Sequence, residues 1–394
     1  MTCPTEPHPC TTAARHGVDA DPAHGAVMPP LYLSSNFSFD GLEGKRRYDY
    51  TRSGNPTRDV LADALARLEG GCGAVVTASG MAAVDLALCS LEPTDLLVAP
   101  HDLYGGTHRL LCARARKGHF EVAFVDQTDR AALDAALARR PKLILIETPS
   151  NPLMRVVDVA DVCARAHAVG CKAAVDNTFL SPALQQPLAL GADLVIHSTT
   201  KYLNGHSDVV GGCVVAKDPA DLDQLVWWAN CLGVTGAPFD AWLTLRGLRT
   251  LFARVERQQA TAGRIAEWLA AHPAVRAVHY PGLRDHPGHA TAARQQRGFG
   301  AMLSFELAEL DAVRCFVDRL GVFTLAESLG GVESLVAHPA LMTHAAMAPE
   351  ARAVAGISDG LLRLSVGLEH PEDLLADLSR ALAPLAARPA AEAA

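Results

Sequence analysis

The chain has 394 residues, 49% hydrophobic and 5% aromatic, enough for two or three domains whose core needs no disulfide or metal staple. Its 35 Lys+Arg against 43 Asp+Glu give a formal net charge of −8, and the basic residues are scattered, which argues against a nucleic-acid partner. Every apolar run is broken by charge, Gly or Pro well short of the ~20 residues a spanning helix needs, and no signal-peptide pattern opens the chain, so a cytoplasmic protein with no membrane partner is expected.

Residues 1–60 are turn-rich, with Pro29-Pro30, Gly41, Gly44 and Gly54-Asn55-Pro56, and polar around Lys45-Arg46-Arg47. Such a segment cannot build its own core, yet Leu31, Tyr32, Leu33, Phe37, Phe39, Tyr48 and Tyr50 are too apolar for a disordered tail. An arm ordered by packing on something else is expected. From about residue 57 the pattern alternates. Val60, Leu61, Ala64, Leu65 and Leu68 have helical spacing, stopped by Gly70-Gly71. Short apolar runs at 74–78, 96–99, 122–125, 143–146, 173–175 and 194–196 follow, mostly separated by helix-length segments (81–91, 105–116, 129–139, 158–169). Strands without polar alternation are buried on both faces, so these runs predict an α/β domain with a mainly parallel sheet.

A long helical stretch covers 238–271, with a possible interruption at Gly247. Strand-like 275–280 and 301–307 follow, then a helix near 310–320 and a last one near 372–383, where Pro371 suits a first turn. The expected division is an arm (1–60), a large domain (61–255) and a smaller α+β domain (256–394). The ten cysteines are dispersed, with no CxxC and no zinc-ligand spacing, so they are expected to be reduced and mostly buried, with no metal bound.

In an open parallel sheet, ligands bind beyond the carboxyl ends of the strands. After 74–78 comes Ser79-Gly80-Met81 and at once a helix, whose N-terminal N–H groups suit a phosphate. After 143–146 comes Glu147-Thr148-Pro149-Ser150-Asn151-Pro152, after 173–175 Asp176-Asn177-Thr178, and after 194–196 His197-Ser198-Thr199-Thr200-Lys201. A lysine, a carboxylate, hydroxyls and a phosphate cup on one edge match the needs of pyridoxal 5′-phosphate: an amine for a Schiff base, an acid for the pyridine nitrogen, and donors for the phosphate.

The motifs DYTRSGNPTRDVL (49–61), ASGMAAV (78–84), HDLYGGTHRL (101–110), ETPSNP (147–152), VDNTFLSPALQQPLALGADLVIHSTTKYLNGHSDVVGG (175–212), WWANCLGVTGAPFD (227–240), TLAESLGGVESL (324–335) and LLRLSVGLE (361–369) carry a wider resemblance, from about residue 16 to 385. The chain resembles the Cys/Met-metabolism family of pyridoxal-phosphate enzymes. The resemblance implies an aspartate-aminotransferase-like (fold type I) large domain with a seven-stranded sheet. It implies that Lys201 is the Schiff-base lysine and proton shuttle, that Asp176 pairs with the pyridine nitrogen beside Thr178, and that Tyr104 stacks on the ring. Gly80, Met81, Ser198 and Thr200, with Ser79 adjacent, would hold the phosphate, and Tyr50 and Arg52 would reach the phosphate of a neighbouring subunit. Arg363 would anchor the substrate α-carboxylate, Asn151 and Ser328 would lie near that carboxylate and the cofactor's hydroxyl side, and Asp49, Arg109 and Glu327 would line the distal pocket.

Within the family, Gly106 in the tyrosine loop, Glu327, and the Trp227-Trp228-Ala229-Asn230 run resemble the bacterial branch that replaces the γ-substituent of O-succinyl-L-homoserine by L-cysteine, in methionine biosynthesis by transsulfuration. Ser53 stands where that branch often has a second basic residue, as in many lyases, so cleavage of cystathionine to cysteine, 2-oxobutyrate and ammonia is the alternative. The resemblance also implies a homotetramer, a dimer of dimers with active sites shared between subunits.

Overall fold

The computed structural model describes residues 7–345, 347 and 349–386. Seven strands form the larger sheet: β1 (Gly73–Thr77), β2 (Leu96–Pro100), β3 (Glu121–Val125), β4 (Leu143–Glu147), β5 (Lys172–Asp176), β6 (Leu194–His197) and β7 (Gly212–Ala216), in the order β1-β7-β6-β5-β4-β2-β3. β7 runs antiparallel to both its neighbours, and the other adjacent pairs are parallel. The sheet is therefore mainly parallel, as the unalternating runs predict. β7 itself is not among those runs: GCVVA is as apolar and as buried as its neighbours, but it follows a glycine-rich loop rather than a helix of its own.

Both sheet faces are covered. Ile144 and Ile146 of β4 and Ala173 and Val175 of β5 pack on one side with the helices Pro56–Glu69, Val159–Ala168 and Leu251–Ala270. Leu143, Leu145 and Ala174 face the other side, with the helices Gly80–Ala87, Gly105–Arg116 and Pro219–Leu232. Burying a Val, Leu or Ile in this way contributes about 1.5–3 kcal/mol each. The helix Pro56–Glu69 begins where the Asn55 side chain accepts the N–H groups of Thr57 and Arg58 and proline occupies the first turn; it ends at Gly70, whose φ of +77° glycine adopts without strain.

The second sheet has β8 (Ala277–His279), β9 (Met302–Glu306), β10 (Thr324–Leu325), β11 (Leu335–Ala337) and β12 (Leu361–Ser365), in the order β10-β11-β12-β9-β8. The stretch 238–271 is two helices, Pro238–Leu248 and Leu251–Ala270. At Gly247 a Cβ would lie 2.0 Å from the Asn204 carbonyl oxygen, so only glycine permits that approach.

The segment before Pro56 is stitched to the body. Trp242 Nε1 donates to the Pro29 carbonyl (3.0 Å), Asn55 Nδ2 to that of Tyr32 (3.0 Å), and buried Arg58 to those of Thr51 (2.5 Å) and Gly236 (3.1 Å). Tyr32, Leu33, Phe39, Leu42 and Tyr50 nevertheless stay exposed. The cysteines depart from expectation. Cys163, Cys171 and Cys213 are buried, but Cys10, Cys72, Cys112 and Cys231 are exposed, because they fall on the outer faces of helices or at a strand entrance. Among the described residues, no helix is long and apolar enough to cross a membrane.

Candidate active site

A cavity of about 290 Å³ opens at the carboxyl ends of β1, β4, β5 and β6, closed on its far side by β12 and the loop 327–329. It brings together Ser79, Gly80, Met81, Tyr104, Asn151, Asp176, Thr178, Ser198, Thr200, Lys201, Glu327, Ser328 and Arg363, thirteen of the residues singled out from the sequence.

At one end the helix Gly80–Ala87 points its N-terminus inward. Ser79 caps it by accepting the Ala82 N–H at Oγ (3.1 Å), which leaves the Gly80 and Met81 N–H groups without an intrahelical acceptor. Across from them stand the Ser198 and Thr200 hydroxyls. A Cβ at Gly80 would lie 2.7 Å from Ser198 Cβ, so the walls can approach only because residue 80 is glycine. Free N–H groups, a helix dipole and hydroxyls form a cup for a phosphate.

Asp176 and Glu147 end adjacent strands in direct register. Burial raises the Asp176 carboxyl, while the Thr178 donors and His197 lower it; the Thr178 N–H reaches Asp176 Oδ1 at 3.0 Å. Burial, with the neighbouring Asp176 charge, pushes Glu147 well above the usual carboxylate range. On the opposite sheet face, fully buried His197 contacts Glu69 Oε1 through Nε2 at 2.6 Å, and Asn177 Nδ2 donates to the same oxygen at 2.9 Å. This pair anchors the ends of β5 and β6 to the helix Pro56–Glu69 from below.

Lys201 Nζ donates to Ser328 Oγ (2.8 Å). Burial, and then the Arg363 cation, lower its amine to about 8, with Glu327 acting in the opposite sense. Arg363 is buried on β12. Its Nη1 donates to Asn151 Oδ1 (2.8 Å) and its Nη2 to the Ser328 carbonyl (2.9 Å), while Nε is buried without an acceptor. Ser328 itself has φ +88°, a strained conformation for a non-glycine residue, fixed by these two contacts.

Four candidates lie outside this cavity in the single chain. Tyr50 and Arg52 sit on the arm, with the guanidinium 5.6 Å from the Tyr50 ring centroid and Arg52 Nε donating to Asn230 Oδ1 (3.1 Å). Asp49 pairs with Lys45 (2.8 Å) and accepts from Ser53 Oγ (2.8 Å), and Arg109 lies on the exposed side of the helix Gly105–Arg116. The cavity also holds residues not singled out from the sequence, including Phe179, Thr343 and, behind Thr343, His344. His344 Nε2 contacts the Asn151 carbonyl at 3.1 Å, and burial holds its imidazole down at about 4. It belongs to an irregular loop without periodicity, so only the tertiary structure brings it to the site.

The cup, an acid half-buried at the floor and a desolvated amine together fit pyridoxal 5′-phosphate. The family model described as "Cys/Met metabolism PLP-dependent enzyme" matches residues 10–383, and the chain belongs to that family of pyridoxal-phosphate-dependent enzymes. The chain is 59% identical over 370 residues to cystathionine gamma-synthase of Escherichia coli (strain K12), covering 93% of this chain and 96% of that one. It matches the crystal structure of cystathionine gamma synthase from Xanthomonas oryzae pv. oryzae in complex with cystathionine with a TM-score of 0.96 and 64% identity, over 97% and 99% of the two chains. A cystathionine beta-lyase of Lactococcus lactis subsp. cremoris (strain MG1363) is 46% identical, over 94% of this chain and 98% of that one.

Proposed function

We propose that the chain is a cystathionine gamma-synthase, which replaces the succinyloxy group of O-succinyl-L-homoserine by the thiol of L-cysteine. The Cγ–O bond breaks and a Cγ–S bond forms, giving L-cystathionine and succinate, with the thiol proton lost to solvent. The observation that carries this reading is the 59–64% identity to gamma-synthases over nearly the whole chain, against 46% to the beta-lyase. On this reading the chain acts in methionine biosynthesis by transsulfuration.

Pyridoxal phosphate, when bound, supplies an electrophilic carbon and a ring that draws electrons from the substrate's α-carbon. Gly80, Met81, Ser198 and Thr200 would hold its phosphate, with Ser79 fixing the helix end. Asp176 would face the pyridine nitrogen, where a cation offsets the burial that disfavours this carboxylate. Tyr104 would lie against the ring. Arg363 would bind the substrate α-carboxylate, a task for which its buried Nε is unpaired and its planar fork suited. Lys201 Nζ would remove the α-proton and then carry protons at the β-carbon. An amine lowered to about 8 is a usable base near neutral pH. Ser328 Oγ would orient that amine, and Asn151 would hold Arg363. Glu327, Asp49 and Arg109 are assigned to the distal pocket, the last two in the assembled oligomer.

Three further readings belong with this one: an arm (1–60), a large domain (61–255) and a small domain (256–394); a cytoplasmic location; and a homotetramer built as a dimer of dimers, with Tyr50 and Arg52 completing the neighbouring subunit's phosphate site. The exposed apolar residues of the arm support the last. The test is incubation of the holoenzyme with O-succinyl-L-homoserine and L-cysteine, with products identified by mass spectrometry. Cystathionine and succinate are expected. Rapid conversion of cystathionine to cysteine and 2-oxobutyrate without net synthesis would assign a lyase instead.

A further inference from the structure

Glu147 ends β4, lines the cavity and is buried, yet no step above uses its side chain. Its two oxygens are spent on two different loops. Oε2 accepts the backbone N–H of Tyr104 at 3.0 Å, and Oε1 accepts the backbone N–H of Asn151 at 3.1 Å. Tyr104 immediately precedes the helix Gly105–Arg116, in the loop leaving β2, whereas Asn151 lies four residues beyond Glu147. Asn151 in turn accepts from Arg363 at Oδ1 and from His344 at its carbonyl oxygen.

We propose that Glu147 is a positioning residue: its carboxyl group clasps the two loops and so sets the Tyr104 ring, the Asn151 amide and, through Asn151, the Arg363 guanidinium at fixed separations around the cavity. The inference rests on the reading of this cavity as the cofactor and substrate site.

The chemistry of the clasp requires an acid. Both partners are N–H donors, so both side-chain oxygens must accept. A carboxylate does this, and a carboxylic acid retains lone pairs on both oxygens. A carboxamide does not, because its nitrogen only donates and would oppose one N–H directly. The strand supplies rigidity: Glu147 is paired in register with Asp176 of β5, so the clasp is referenced to the same strand ends as the acid that would face the pyridine nitrogen. A loop pair held from the sheet is how a site keeps the sub-ångström placement that its chemistry needs.

The experiment compares Glu147→Gln, which is isosteric but reverses one hydrogen-bond partner, with Glu147→Asp, which keeps both acceptors but falls short of the loops. Three readouts are used: the absorbance band of bound pyridoxal phosphate, its visible circular dichroism, and the KM–kcat split. Both variants are expected to keep the absorbance band, to lose at least about half of the visible dichroism as the ring environment loosens, and to raise KM for the amino-acid substrate about 10-fold. Amide exchange of the wild-type chain without cofactor, read by mass spectrometry, is expected to show protection at Tyr104 and Asn151 well above that of exposed loops. Dichroism and KM within about two-fold of wild type in Glu147→Gln would overturn the proposal, as would unprotected Tyr104 and Asn151 amides in the wild type. The exchange measurement decides the matter even if neither variant folds. Absence of a cofactor band in the wild-type protein would instead refute the functional reading and leave the exchange result to judge the clasp alone.

Discussion

Lys201 Nζ donates a hydrogen bond of 2.8 Å to Ser328 Oγ, so the amine that follows β6 is held by a loop of the second sheet. Because Ser328 also gives its carbonyl to Arg363, one strained residue couples the reactive amine to the proposed carboxylate anchor. Ser328→Ala is expected to leave the thermal midpoint within a few degrees of wild type and to lower kcat about 10-fold, the equivalent of about 1.4 kcal/mol, as the amine loses orientation. Steady-state kinetics beside a thermal scan checks this.

The Lys201 amine, lowered to about 8 by burial and Arg363, sets a pH dependence for cofactor uptake. Only the neutral amine is nucleophilic, so in the chain without cofactor the rate of pyridoxal phosphate capture should rise with pH through a midpoint near 8 and level off above it, rather than climbing on toward the 10.5 of an ordinary lysine. Stopped-flow absorbance across pH 6–10 reads the profile. Arg363→Met, which removes the nearby cation, should move the midpoint upward.

Arg363 lies buried with Asn151 Oδ1 and the Ser328 carbonyl as acceptors. Arg363→Lys keeps the charge but not the planar fork, so the three donors of its ammonium do not reproduce the fixed geometry that spans both acceptors and a substrate carboxylate. A loss of at least about 100-fold in kcat/KM is expected, mostly through KM, or about 2.7 kcal/mol of transition-state stabilisation. Substrate titration of the purified variant checks the split.

The sheet and the cavity were unequally readable from residue order. The unalternating runs predict β1 to β6, because a strand buried on both faces needs no polar positions. β7 obeys the same rule, every residue of it being buried, but its antiparallel return follows a loop and not a helix, so the strand–helix alternation does not announce it. Lys201, Asp176 and Gly80 are recognisable because each stands at, or within a few residues of, the carboxyl end of a strand. His344 is not, as its place depends on a loop returning from the second sheet. Glu147 stands in plain view at the end of its strand, but its hydrogen bonds run to backbone groups of the loops that follow β2 and β4, which no side-chain pattern encodes.

Glu69 and His197 form a fully buried hydrogen-bonded pair under the sheet, with Oε2 and Nδ1 left without partners. Removing one member strands the other in a low-dielectric core. Glu69→Leu and His197→Leu are each expected to lower stability by about 3–5 kcal/mol, and the double variant by less than their sum. Denaturant unfolding of the three proteins gives the coupling directly.

Arg58 holds the Thr51 and Arg52 carbonyls, so the arm leaves the body in a fixed direction with Tyr50 and Arg52 on it. If these two complete a neighbouring subunit's site, that site draws residues from two chains, and damage to each can be separated genetically. Arg52→Ala and Lys201→Ala should each be nearly inactive alone. Co-expressed at equal levels, they form mixed dimers in which one site carries both lesions and the other carries none. Random pairing makes half the dimers mixed, so activity should return to roughly a quarter of the wild-type value per site. A differentially tagged purification isolates the mixed species for assay. Recovery of that size requires a shared site, whereas a site built within one chain would show no recovery at all.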